Sequence, residues 1–89
     1  MRLKKDLVIR QVADTWIVLA LADSEVNFDG ILTLNESAVL LWRELEKGAN
    51  KDAMIDALIS EYNVDRKQAS EDIDAFLRKL IEAGCISEE

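Results

Sequence analysis

Two short runs near the start of the chain are dominated by apolar β-formers. Leu7 to Val12 and Thr15 to Leu21 are separated by Ala13-Asp14, a break short enough for a tight turn, so the pattern predicts a β-hairpin. In the second run Trp16, Val18 and Ala20 alternate with Ile17, Leu19 and Leu21, which makes both faces of that strand apolar. One face must pack on helices, and the other is expected to be partly covered. After a turn at Ala22-Asp23-Ser24-Glu25, Val26 to Leu34 predicts a third strand carrying Asp29-Gly30, a pair that marks a bulge or bend, and this strand should lie at the sheet edge.

From residue 35 the period changes. Asn35-Glu36-Ser37 supplies a helix cap with an acid in the first turn, and Ala38, Leu41, Trp42 and Leu45 recur at helical spacing until Gly48. Thr33-x-x-Glu36 also has capping-box spacing and allows a start two residues earlier. A second helix capped by Asn50 carries Met54, Leu58 and Tyr62 on one stripe and stops at Asn63-Val64. The third begins at Asp65, with Gln68 three residues on, and presents Ala69, Ile73, Phe76, Leu77 and Leu80 until Gly84. The order β-β-β-α-α-α predicts an α+β fold: a three-stranded antiparallel sheet followed by a three-helix bundle, winged helix-turn-helix-like. At 89 residues this is one domain, 1–89, with one core.

Composition removes several function classes. The apolar share is 49% and the charged share 33%, with no proline and three glycines, which suits a globular chain with unbroken helices. Formal net charge is −7; the first ten residues hold four cations against one acid, so the remaining chain carries −10. The third helix has a recognition helix's place in a winged helix, yet Arg66, Lys67, Arg78 and Lys79 are offset by Glu71, Asp72, Asp74 and Glu82. Its acidic middle would repel phosphate, so nucleic acid is not an expected partner and a winged-helix DNA-binding regulator is the poorer alternative.

Chemistry is equally sparse. The chain has no histidine, no Gly-rich phosphate loop, no CxxC and no HExxH, so no catalytic residue, metal or cofactor is expected and the chain reads as a non-enzyme. The lone Cys85 reads as a small packing residue near the end of the last helix. Trp42 reads as the core anchor, whereas Trp16 is covered either by the N-terminal segment or by a second copy of the protein. No run is long and apolar enough for a signal peptide or a membrane span, which makes a cytoplasmic location the expectation.

What remains is the third strand. An edge strand offers unpaired N–H and C=O groups to any extended chain laid beside it, and Phe28 to Leu34 contains neither Lys nor Pro to block that edge. A peptide added there would gain backbone hydrogen bonds, with the third helix and Phe76 as the other wall of the groove. Pairing of the edge, or of the second apolar sheet face, with another copy would instead give a structural homodimer.

The segment Gly30-Ile31-Leu32-Thr33-Leu34-Asn35-Glu36-Ser37-Ala38, followed by Leu41-Trp42, Leu45 and Gly48, resembles the central motif of PqqD-like proteins. Tyr62-Asn63-Val64-Asp65, then Asp72, Phe76-Leu77, Leu80 and Gly84, is similar to the same family, so the resemblance runs from the first strand to Ile86. It implies a peptide-recognition element from pathways that make ribosomally synthesised, post-translationally modified peptides. Such a domain binds the leader segment of a precursor peptide as an added strand and hands the core segment, chaperone-like, to a modifying enzyme, often a radical iron–sulfur maturase. Carried onto this chain, the resemblance puts the pairing strand on Phe28, Asp29, Gly30, Ile31, Leu32, Thr33 and Leu34. The helix wall falls on Ala69, Asp72, Ile73, Phe76, Lys79 and Leu80, of which Ile73 and Leu80 also suit buried core positions.

Overall fold

The computed structural model describes residues 2–4, 7–20 and 32–87. The expected turn at 22–25 and the residues 26–31 of the expected third strand lie outside them. In chain order the elements are β1 (Arg2–Leu3), β2 (Leu7–Val12), β3 (Thr15–Ala20), β4 (Leu32–Leu34), α1 (Glu36–Glu46), α2 (Lys51–Glu61), α3 (Arg66–Glu82) and β5 (Ile86–Ser87). The main sheet is antiparallel with order β2-β3-β4, followed by three helices as the sequence pattern predicts.

The hairpin turns on Ala13-Asp14, with Val12 opposite Thr15. Ala13 takes a left-handed φ of +56°, because a two-residue hairpin loop that follows the strand twist needs positive φ at its first central residue. Leu7, Ile9, Trp16, Val18, Ala20, Leu32 and Leu34 share the inner face through the pairs Leu7↔Ala20, Ile9↔Val18, Trp16↔Leu34 and Val18↔Leu32. Leu7, Val18 and Leu34 are buried, whereas Leu19 and Val12 on the outer face are exposed.

Each helix starts on the side chain anticipated for it. Asn35 Oδ1 accepts from the Ala38 N–H at 2.8 Å, Asn50 Oδ1 from Ala53 at 2.9 Å and Asp65 Oδ1 from Gln68 at 2.7 Å. Each cap satisfies a first-turn donor that has no partner within the helix. Thr33 is not the α1 cap; it belongs to β4, where extended backbone leaves its hydroxyl outside the helix.

Two helices end in the same motif. Past α1, Gly48 adopts φ +83° and the Ala49 N–H bonds the Glu44 carbonyl at 3.0 Å; past α3, Gly84 adopts φ +79° and the Cys85 N–H bonds the Leu80 carbonyl at 2.9 Å. A left-handed residue lets the chain fold back over the last turn and satisfy its free carbonyls. After Gly84 the chain forms β5, which pairs antiparallel with β1 as Arg2↔Ser87 and Leu3↔Ile86. This second, two-stranded sheet has no signature in the sequence pattern, since two residues are too few to show a period. Cys85 stands just past the helix, as its place after Gly84 suggests, and is fully buried as a packing residue.

Trp42, Met54, Ile73, Leu80 and Cys85 are the largest fully buried side chains, and among the described residues no polar or charged one is buried. Trp42 is thus the core anchor. Trp16 is half-buried against the same core, with the Arg43 guanidinium 5.9 Å from its ring centroid. Across the helices Arg66 meets Asp56 at 3.0 Å and Asp52 at 3.7 Å, and Lys51 meets Asp74 at 2.7 Å, exposed ion pairs that bridge α2 and α3.

Candidate peptide-binding site

The backbone polarity of β4 follows from the hairpin. Residues flanking a two-residue loop exchange both hydrogen bonds, so Val12/Thr15 is a bonded pair, and alternation makes Arg10/Ile17 another. The N–H and C=O of Ile17 therefore face β2, and those of Trp16 and Val18 face β4, where they meet Leu34 and Leu32. Thr33, between those two, turns its own N–H and C=O away from the sheet. Among the described residues β4 is an edge strand, and Thr33 is the residue that offers its backbone there.

Facing that edge is a cleft of about 760 Å³. Thr33 and Leu34 form one wall, and Asp72, Ala75, Phe76 and Lys79 of α3 form the other. Its floor and far end come from Ala38 and Leu41 of α1, Leu58 of α2, and Tyr62 and Val64 between the last two helices. Asn35, Glu36 and Ser37 close it at the start of α1. The cleft is open and its lining is mixed, with Leu34, Leu41, Leu58, Val64 and Phe76 beside polar groups such as Asn35, Glu36, Asp72 and Lys79, a form suited to an extended peptide. Lys79 crosses its mouth: Nζ donates to the Thr33 carbonyl at 3.2 Å.

Of the residues assigned to this site by resemblance, the fold brings Thr33, Leu34, Asp72, Phe76 and Lys79 together around the cleft. Leu32 sits half-buried beside them. Ala69, Ile73 and Leu80 are fully buried in the core and do not line it, because the centre of the α3 apolar stripe packs inward and only its flank reaches the cleft. Phe28, Asp29, Gly30 and Ile31 lie outside the described residues. The floor residues Leu58, Tyr62 and Val64 escaped sequence reasoning, although Tyr62, a large aromatic at a helix end, was the available signal.

Two of the four cations of α3 have partners among the described residues. Arg66 is engaged with two aspartates of α2, and Lys79 with β4. Among the described residues no cluster of His, Cys, Asp or Glu is arranged to hold a metal ion, and no helix is long and apolar enough to cross a membrane.

A family model described as coenzyme PQQ synthesis protein D (PqqD) matches residues 16–86. The chain belongs to the PqqD family. Two solved structures share its fold. One is TbiB1 in complex with the TbiA(beta) leader peptide, with a TM-score of 0.79 and 25% identity, the match covering 100% of this chain and 98% of that one. The other is lasso peptide synthetase B1 complexed with the leader peptide, with a TM-score of 0.70 and 28% identity over 91% of this chain and 89% of that one. No curated protein sequence matches.

Proposed function

We propose that this PqqD-family chain is a non-catalytic adaptor that binds the leader segment of a ribosomally made precursor peptide and presents it to a modifying enzyme. The leader enters as an added strand beside β4, with α3 as the opposite wall. The observation that carries this reading is the juxtaposition of an outward-facing strand edge at Thr33 with a cleft under Phe76 and Tyr62. Both similar solved structures are of proteins bound to leader peptides, which supports the same use of the fold here.

Strand addition gives such a site its affinity through main-chain hydrogen bonds of about 0.5 to 1.5 kcal/mol net each, and the cleft gives selectivity through alternate side chains. The modifying enzyme, of the radical iron–sulfur class or another, would receive the core segment that extends beyond the cleft. A cytoplasmic location accords with a leader met soon after synthesis.

The test is isothermal titration of the protein with candidate leader peptides, taken from any precursor-like short reading frames in its gene neighbourhood. Saturable binding near one to one, lost in Phe76→Ala, supports the adaptor. Absence of binding together with a concentration-independent dimer would replace it with the structural homodimer. Phe76 also packs in the core, so the variant counts only where its melting curve shows it folded.

A further inference from the structure

On the basis of that adaptor reading, we infer that Lys79 is a displaceable guard of the strand edge, and that it selects leaders carrying a carboxylate next to the residue that pairs with Thr33. Thr33 holds the outward-facing carbonyl of β4, and Lys79 Nζ already occupies it at 3.2 Å. Lysine is a common means of blunting an edge that would otherwise pair with any extended chain. Here the lysine comes from the facing helix, 46 residues away in sequence, and so bars the cleft and the edge together.

A peptide that pairs with Thr33 donates its own N–H to that carbonyl; the oxygen can accept two donors, but a strand lying along the edge needs the space that the Lys79 side chain crosses, so the ammonium is pushed aside. Directly opposed residues of paired strands share a face. Leu32 and Leu34 face the core and Thr33 faces away, so the peptide residue opposite Thr33 also points away. Its two neighbours along the peptide point inward toward α3, where Lys79 stands. An Asp or Glu at one of them takes the displaced ammonium in a charge-assisted bond, whereas a neutral residue leaves it to solvent.

The remaining charges of the cleft narrow the position of that carboxylate. Asp72 lies seven residues before Lys79 on α3, about 10.5 Å along the helix axis, and accepts from Gln68 Nε2 at 2.8 Å. Glu36 lines the cleft at the start of α1. A second acid placed toward either would be repelled, so only the Lys79 end favours one.

The experiment titrates wild-type protein and the variants Lys79→Met and Lys79→Arg with a candidate leader peptide, taken from a precursor-like short reading frame in this chain's gene neighbourhood, and with versions in which each Asp or Glu is changed in turn to Asn or Gln. One change should weaken wild-type binding about fivefold, the upper range for a partly exposed ion pair. That loss should vanish in Lys79→Met and persist in Lys79→Arg. The neutralised peptide should bind Lys79→Met more tightly than wild type, because no guard has to be displaced. Lys79 is exposed, so both variants should melt as wild type does. Wild-type binding with no carboxylate-sensitive position, or with equal sensitivity in Lys79→Met, overturns the selector and leaves the adaptor standing. Failure of the wild type to bind the unaltered peptide removes both.

Discussion

The amide of Lys4 donates to the carbonyl of Cys85 at 2.9 Å, joining the two ends of the chain at a residue whose own thiol is fully buried. Burial pushes that thiol up from 9.0 to about 11. The folded state thus keeps the proton that the unfolded chain releases near 9.0, so the contribution to stability is complete below pH 9 and is lost as pH rises toward 11. Urea midpoints should fall more steeply across that window for wild type than for Cys85→Ala. Equal slopes would mean that the thiol is solvated in the folded protein.

Gly84→Ala should destabilise the fold by about 1 kcal/mol, lowering the melting temperature by about 4 to 8 °C for a domain of this size. A Cβ at this position meets nothing within 4 Å, so the loss is one of backbone strain at φ +79° and not of packing. Gly84→Asn should lose less, since asparagine tolerates the left-handed region. A thermal melt of the two variants decides the point.

Ala13→Gly should act in the opposite direction. Ala13 holds a left-handed φ with a side chain that resists it, and relief of about 1 kcal/mol outweighs the added freedom of glycine in the unfolded chain. A higher denaturation midpoint is the expected result. An unchanged or lower one would show that the turn relaxes at no cost.

Tyr62→Ala should weaken leader binding by about tenfold, the loss of more than 1 kcal/mol that a buried aromatic anchor commonly carries. Its side chain lines the cleft yet is 37% exposed in the unbound protein, so stability should change little. Titration paired with a melt separates the two effects more cleanly than Phe76→Ala can.

The helices were legible because their signals are local. Asn35, Asn50 and Asp65 cap within three residues of themselves, and Gly48 and Gly84 stop two of the three helices by φ alone. The β1–β5 sheet was not legible, because its pairing joins residues more than eighty positions apart through strands of two residues each. The site was half legible. Periodicity marks Ala69, Ile73 and Leu80 as apolar, but only the packing of α3 determines that this stripe goes inward while Asp72, Ala75 and Lys79 on its flank reach the cleft. The protection of the edge was missed for the same reason: β4 has no lysine of its own, and the one that guards it arrives from α3.

The clasp between β1 and β5 lies apart from the cleft. Arg2 and Ser87 are paired beside the C-terminal end of α1, where Arg2, Lys4, Leu45 and Lys47 line one hollow, whereas the cleft opens at that helix's N-terminal end around Glu36 and Ala38. Eleven helical residues, about 16 Å, separate the two. The clasp therefore closes the core at one end of α1 while the cleft opens at the other, so the pairing that holds β1 to β5 takes no surface from the groove.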